Sequence, residues 1–325
     1  PLMKSLGYTN YFAGAVEAVA STGGALMPPV MGAEDFVVAG FLGISYWSVA
    51  TAALLPAIIF YGGLFTMIHF RAQAKRLRPL PKDKLPKMRT VLSYGWTLVI
   101  PLFVLIGLLA SGRSASMSVF WSIALLFVMV FVNKSTRPNP VMLLKICEDV
   151  MRSMIVVSVA YACAGIIISV TTMSSIGLKM GWLILQISGD KLFLILIFIM
   201  ILSIILGMGL PTTAVYITLY VTLIPILIEM GVIPLSAHLF ALYYGVLSNI
   251  IPPVAIAGYA AAGIAKSPPI KTSWTAFFIG LCGLVVPFAF IYRPGLLLIG
   301  SPMQILWAIL CASLVVFSFA VAVIG

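Results

Sequence analysis

Charge is what this sequence has least of. Asp, Glu, Lys and Arg make up 8% of 325 residues, with eight acids and two histidines in the whole chain. Soluble domains carry roughly 25% charged residues, so a water-soluble fold is excluded. The acids and histidines form no HExxH, no aspartate-rich DxxD pair, no GxSxG and no Walker loop. A membrane enzyme is therefore disfavoured, and no ATP-driven pump is encoded in this stretch, which leaves an ion gradient as the source of energy. The four cysteines, Cys147, Cys163, Cys282 and Cys311, have no CxxC spacing. They read as small apolar residues rather than a disulfide frame or metal site.

What the chain does have is apolar surface: 62% hydrophobic residues and a mean hydropathy of +1.18. At ~20 apolar residues per crossing, its length allows about eight to ten spans or partial spans of a polytopic, all-α membrane protein. The net charge of +11 is unevenly spread. Eight of nineteen basic residues fall between Arg71 and Arg89, in "RAQAKRLRPLPKDKLPKMR". A short basic loop between apolar runs is the positive-inside signal. It places this loop in the cytoplasm against lipid phosphates and argues against a nucleic-acid partner.

Glycine and proline interrupt the apolar runs at particular places. "ASTGGALMPPVMGA" (Ala20–Ala33) separates an arm near 11–20 from a return arm of about 33–42, too short to cross alone. "LSNIIPPVAIAGYAAAG" (Leu247–Gly263) does the same between arms of 237–244 and about 254–265. Each reads as a re-entrant helical hairpin. A third break, "GMGLPTT" (Gly207–Thr213), interrupts a span from about 192 to 228. Uninterrupted spans are expected near 47–70, 91–110, 117–132, 154–172, 272–292 and 304–323, with an interfacial stretch around Lys145–Arg152. "PPVMGA" from Pro28 matches "PPVAIAG" from Pro252, and "PAIIFY" from Pro56 matches "PFAFIY" from Pro287. The chain thus reads as an internal duplication, with the extra residues of the second copy placed in its "AKSPPIKTS" loop. Such symmetry, with interrupted segments in matching places, is the pointer to a secondary transporter's binding site.

Broken helix at membrane depth is tolerated only where protein or a wet cavity satisfies the backbone. Freed carbonyls with nearby hydroxyls suit a hard cation such as sodium, and freed N–H ends suit a carboxylate. The candidate ion and substrate ligands are Ser21 and Thr22, with Gly23 and Gly24, at the first break. At the third break and the second tip they are Gly207, Gly209, Thr212, Thr213, Ser248 and Asn249. Taken singly, each small residue equally suits close helix packing in lipid. Glu17 either faces the site or sits at the interface. Glu34 and Asp35 suit the first turn of the return arm through the helix dipole, and Asp190 suits a helix N-cap. His69 and His238 read as structural, Arg293 as a snorkelling anchor, and Trp47, Trp96, Trp121, Trp182 and Trp307 as interfacial.

The motifs "AGAVEAVASTGGALMPPVMGA", "LGMGLPTTAVYI" and "IPPVAIAGYAAAGIA" resemble the large membrane subunit of tripartite ATP-independent periplasmic (TRAP) transporters, closest to the fused permeases of the TAXI subclass. The resemblance covers almost the whole chain. It implies an inverted-repeat, elevator-like importer of organic acids in the bacterial inner membrane, coupled to sodium and supplied by a periplasmic binding protein, with sodium sites among the residues just named. On that pattern residues 1–70 and 177–293 are the two halves of a transport domain and 71–90 the cytoplasmic loop. Residues 91–176 are scaffold, and 294–325 a final span. "PLMKSLGYTNYF" enters a module midway, so an upstream interrupted helix and small-subunit helices are expected before Pro1. A symporter of the same architecture without a binding protein, driven by sodium or protons, and a non-transporting scaffold are the alternatives.

Overall fold

A computed structural model describes residues 2–77, 88–132, 137–174, 179, 183, 186–189, 191–208 and 210–324. Much of the basic loop, Trp182, Asp190 and Gly209 lie outside the described residues. The described chain is helical, without strands: α1 (Leu2–Ser5), α2 (Asn10–Gly24), α3 (Ala33–Leu42), α4 (Tyr46–Ala74), α5 (Met88–Ala110), α6 (Ala115–Val132), α7 (Pro140–Ser174), α8 (Leu192–Gly207), α9 (Thr212–Thr222), α10 (Ile224–Glu229), α11 (Pro234–Leu247), α12 (Ile256–Ala265), α13 (Pro269–Tyr292) and α14 (Pro302–Ile324), with 3-10 turns at Ser248–Ile250 and Pro294–Leu297. By length and composition α4, α13 and Pro302–Val323 are able to cross a membrane. Large apolar side chains such as Phe65, Ile264 and Leu314 point outward, as lipid-facing residues must.

Two compact units divide the chain: 1–43, 48–78 and 160–325 form one, and 44–47 with 79–159 the other. In the second, α5 packs against α6. The first contains every break, and its helix directions follow from a few contacts. At one end, the Arg71 guanidinium lies 5.5 Å over the Phe12 ring and the Lys271 ammonium 4.3 Å over Tyr11. Lys4 donates to the Ala265 carbonyl, and the Asn10 amide to that of Lys266 at 3.4 Å. The start of α2, the end of α4, the end of α12 and the start of α13 therefore share one basic end.

From that end α2 runs inward beside α4, where the Tyr61 hydroxyl donates to the Ala20 carbonyl at 2.7 Å. The chain does not turn back there. α3 leads through residues 43–45 into the start of α4, a 29-residue helix about 43 Å long, so α3 ends far from where α2 began. α11 and α12 make the same journey in reverse. Neither pair of arms packs closely on itself. Instead α2 packs on α12, and α3 on α11. The two Pro-Pro segments are thus antiparallel broken spans, not hairpins, which corrects the expectation from sequence. The reason is that each arm buries its small-residue face against the other copy. At Gly14 a Cβ would sit 3.0 Å from that of Ala265.

The segment that does fold back is the third one. Phe193 near the start of α8 meets Phe288, which also touches Phe240 and Tyr244 of α11. The end of α8 meets Ser248 beyond α11, so α8 runs parallel to α11. α9 runs the other way: Gly245 approaches Val215, while His238 lies beside Tyr216 and Tyr220. α8 and α9 thus run antiparallel and form a helical hairpin, where sequence reading expected a continuing span.

The duplication is present in the backbone. Both spans break at a cis Pro-Pro bond, Pro28–Pro29 and Pro252–Pro253, followed by a left-handed residue, Met31 (φ 44°) or Ala255 (φ 36°). The extra residues of the second copy are not in its loop, since 43–45 and 266–268 are equally short connectors. Residues 46–55 precede Pro56 in its helix, whereas 269–286 precede Pro287. The insertion is about two helical turns, a length that keeps the same faces in phase.

Candidate functional site

Halfway along the first unit the three breaks meet. α8 ends at Gly207, so close to Ser248 that a Cβ on the glycine would overlap the serine side chain. The Ser248–Ile250 turn touches α2, α8, α12 and α13. α9 starts at Thr212, whose hydroxyl donates to Glu34 Oε2 at 3.1 Å. Since Glu34 lies in the first turn of α3, two helix N-termini converge on its carboxylate, where dipoles favour negative charge. Pro211, lacking an N–H and with ψ of 139°, keeps α8 from running on into α9.

The residues expected from sequence divide into groups. Gly207, Ser248 and Thr212 sit at the meeting point, and Thr213 follows Thr212, half-buried. Ser21–Gly24 belong to the last turn of α2 rather than to a loop. Ser21 is exposed and donates to the Glu17 carbonyl of its own helix at 2.7 Å. Gly23 is pressed against Phe60 and Tyr61, Thr22 is buried, and Gly24 faces open space. Ser248 and Asn249 donate to the carbonyls of Gly245 (2.7 Å) and Val246 (3.1 Å), tightening the turn. Glu17 is exposed on α2. His238 shares a 2.5 Å hydrogen bond with the Tyr216 hydroxyl inside the core.

Sequence reading undervalued Glu34 and Asp35. It made them helix-dipole residues, and one half of a capping box is indeed present: the Gly32 N–H donates to Asp35 Oδ2 at 3.1 Å. Yet both carboxylates are buried, at 2% and 0% exposure. Each keeps one oxygen, Glu34 Oε1 and Asp35 Oδ1, without a hydrogen-bond partner. Tyr243 of α11 was missed altogether. It is buried and its hydroxyl is unpartnered. The available signal was two adjacent acids in a chain holding eight, since an acid at membrane depth is a functional candidate by default. No group of three or more His, Cys, Asp or Glu side chains comes together among the described residues. The oxygens at the breaks are instead carboxylates, hydroxyls and carbonyls, which suit hard cations.

A polytopic helical membrane protein whose broken helices meet halfway along a duplicated unit belongs, by architecture, among secondary-transporter folds. Comparison with known proteins gives the family: a model described as "Tripartite ATP-independent periplasmic transporter, DctM component" matches residues 1–305. The chain belongs to that family, which is one of transporter components and not of enzymes. It is also similar to the isethionate TRAP transporter permease protein DctMQ of Oleidesulfovibrio alaskensis, at 23% identity over 274 residues. The match covers 82% of this chain and 42% of that protein, so the chain spans less than half the length of this relative.

Proposed function

We propose that the complete protein imports a small organic acid across the bacterial inner membrane by sodium-coupled secondary transport. The carrying observation is the convergence of the helix breaks: Gly207 abuts Ser248, and Thr212 at the start of α9 donates to Glu34 in the first turn of α3. Carbonyl and hydroxyl oxygens suit sodium, and helix N-termini suit a carboxylate. The first unit acts as the mobile elevator body, its hairpin re-entering the membrane from the side opposite the basic end. That end, with Lys4, Arg71 and Lys271, lies in the cytoplasm. Family membership supports a periplasmic binding protein as donor and small-subunit helices, fused or separate, as partners. The relative's name favours a second reading of the substrate, a small sulfonate.

The test is uptake by the full-length protein in liposomes, with carboxylates and sulfonates as substrates, with and without an inward sodium gradient and the binding protein. Uptake requiring both supports the proposal. Uptake with sodium alone points to a symporter without a binding protein, a proton-driven signal to different coupling, and none at all to a scaffold.

A further inference from the structure

The basic end of the first unit carries positive charge that nothing around it balances. Lys4, Arg71, Lys75, Lys266 and Lys271 gather there, drawn from both copies of the duplication. Among the described residues the ion pair is Glu148–Arg152, in the other unit. Of the first unit's described acids, Glu34 and Asp35 lie at the breaks, and Glu229 closes α10 beyond α9. Glu17 is about 9 Å further along α2 than Tyr11. Helix ends do not make up the difference. α4 and α12 end here and offer roughly half a negative charge each, but α2 and α13 start here with as much positive charge and no acid in either first turn.

Lys271 stands in the first turn of α13, where the helix dipole disfavours a cation. Arg71 Nε is buried without a hydrogen-bond partner, a costly deficit. An anionic oxygen between them answers both. The cations are flanked by exposed apolar side chains, Ile264 and Ile270. Lys271, Trp274 and Phe278 follow one another at helical spacing along α13, both rings half exposed and 6.3 Å apart. A free phosphate makes no use of that flank, whereas an amphiphile does. Trp prefers the headgroup level, so Lys271, Trp274 and Phe278 descend in the order headgroup, interface, acyl chain. We propose that the basic end binds the phosphate of one anionic phospholipid of the cytoplasmic leaflet, with Arg71 and Lys271 on the phosphate and Trp274 and Phe278 along an acyl chain. The leaflet rests on the cytoplasmic placement proposed above; the site itself does not. Because Arg71 lies near the end of α4 and Lys271 at the start of α13, one lipid ties the two copies together.

Thermal unfolding of the purified full-length protein in detergent, titrated with short-chain phosphatidylglycerol, tests this, with short-chain phosphatidylcholine and inorganic phosphate as separate additions. Phosphatidylglycerol should raise the melting temperature saturably, and neither of the others should. A cation beside a lipid phosphate is worth about fivefold in affinity. Lys271→Gln should therefore need about fivefold more lipid for half the effect, and Arg71→Gln with Lys271→Gln about thirtyfold. Lys145→Gln, which removes an exposed cation of α7 in the other unit, should match wild type. An equal loss in Lys145→Gln, or no lipid effect on wild type, overturns the site. Stabilisation by inorganic phosphate alone overturns the lipid in favour of a free anion. The readout is binding, so a failure of sodium-driven uptake leaves it untouched. Labelling of Lys271→Cys in intact cells by a membrane-impermeant thiol reagent, in a background lacking the native cysteines, overturns the leaflet and the cytoplasmic placement together.

Discussion

At Gly207 even one methyl group has nowhere to go. An added Cβ would overlap the Ser248 side chain and come within 3.2 Å of the Gly245 carbonyl. Overpacking a tight contact costs typically 1–3 kcal/mol. Gly207→Ala should therefore lower both thermal stability and uptake, and Gly207→Ala combined with Ser248→Gly should recover much of each. A double variant as impaired as the single one would mean that Gly207 serves the site through its backbone rather than as a packing partner. Phe60 is held in the same manner, between Gly23 and Gly283. The small residues read from sequence as ion ligands thus include several whose visible work is to admit a neighbour.

Among elements, α3 has both ends fixed by backbone hydrogen bonds. Its first turn holds Asp35 against the Gly32 N–H. Its last turn closes on Gly43 in the left-handed region (φ 65°), whose N–H bonds the carbonyls of Ala39 and Gly40. A side chain in that conformation costs roughly 1–2 kcal/mol, so Gly43→Ala should reduce thermal stability measured in detergent. Gly40, helical and facing open space, is the contrast. Gly40→Ala should be neutral or stabilising, since Ala is favoured over Gly within a helix by about 0.5–1 kcal/mol. Equal effects at both positions would show that the cap does not limit stability.

The whole molecule poses the question of what moves. α2 and α12 belong to one compact unit and come into close contact at Gly14 and Ala265. If that unit travels as a rigid body, locking the two helices together should leave uptake intact. Gly14→Cys with Ala265→Cys, in a background lacking the native cysteines, should form a disulfide on oxidation, the Cβ positions being within reach after a small adjustment. Uptake that survives crosslinking supports an elevator. Uptake lost on oxidation and restored on reduction would mean that the broken spans must separate.

Much of this protein was determined by its sequence alone. Low charge and high hydropathy dictate a membrane protein, because no aqueous surface can be built from these residues. Proline removes a donor and glycine frees the backbone, so "MPPVMGA", "IIPPVAIAG" and "GMGLPTT" mark breaks whatever surrounds them. The matching of the two copies was legible for the same reason. Where each chain goes after its break was not. A break frees the direction of the next helix without choosing it, and that choice is made by packing against partners distant in sequence: α12 for α2, α11 for α3 and α9. Tertiary structure therefore turned two presumed hairpins into broken spans and a presumed span into a hairpin. It also moved the insertion from a loop into a helix. The same holds for Glu34 and Asp35, which read locally as helix-capping acids; only the folded structure buries both carboxylates and brings Thr212 from far along the chain onto Glu34.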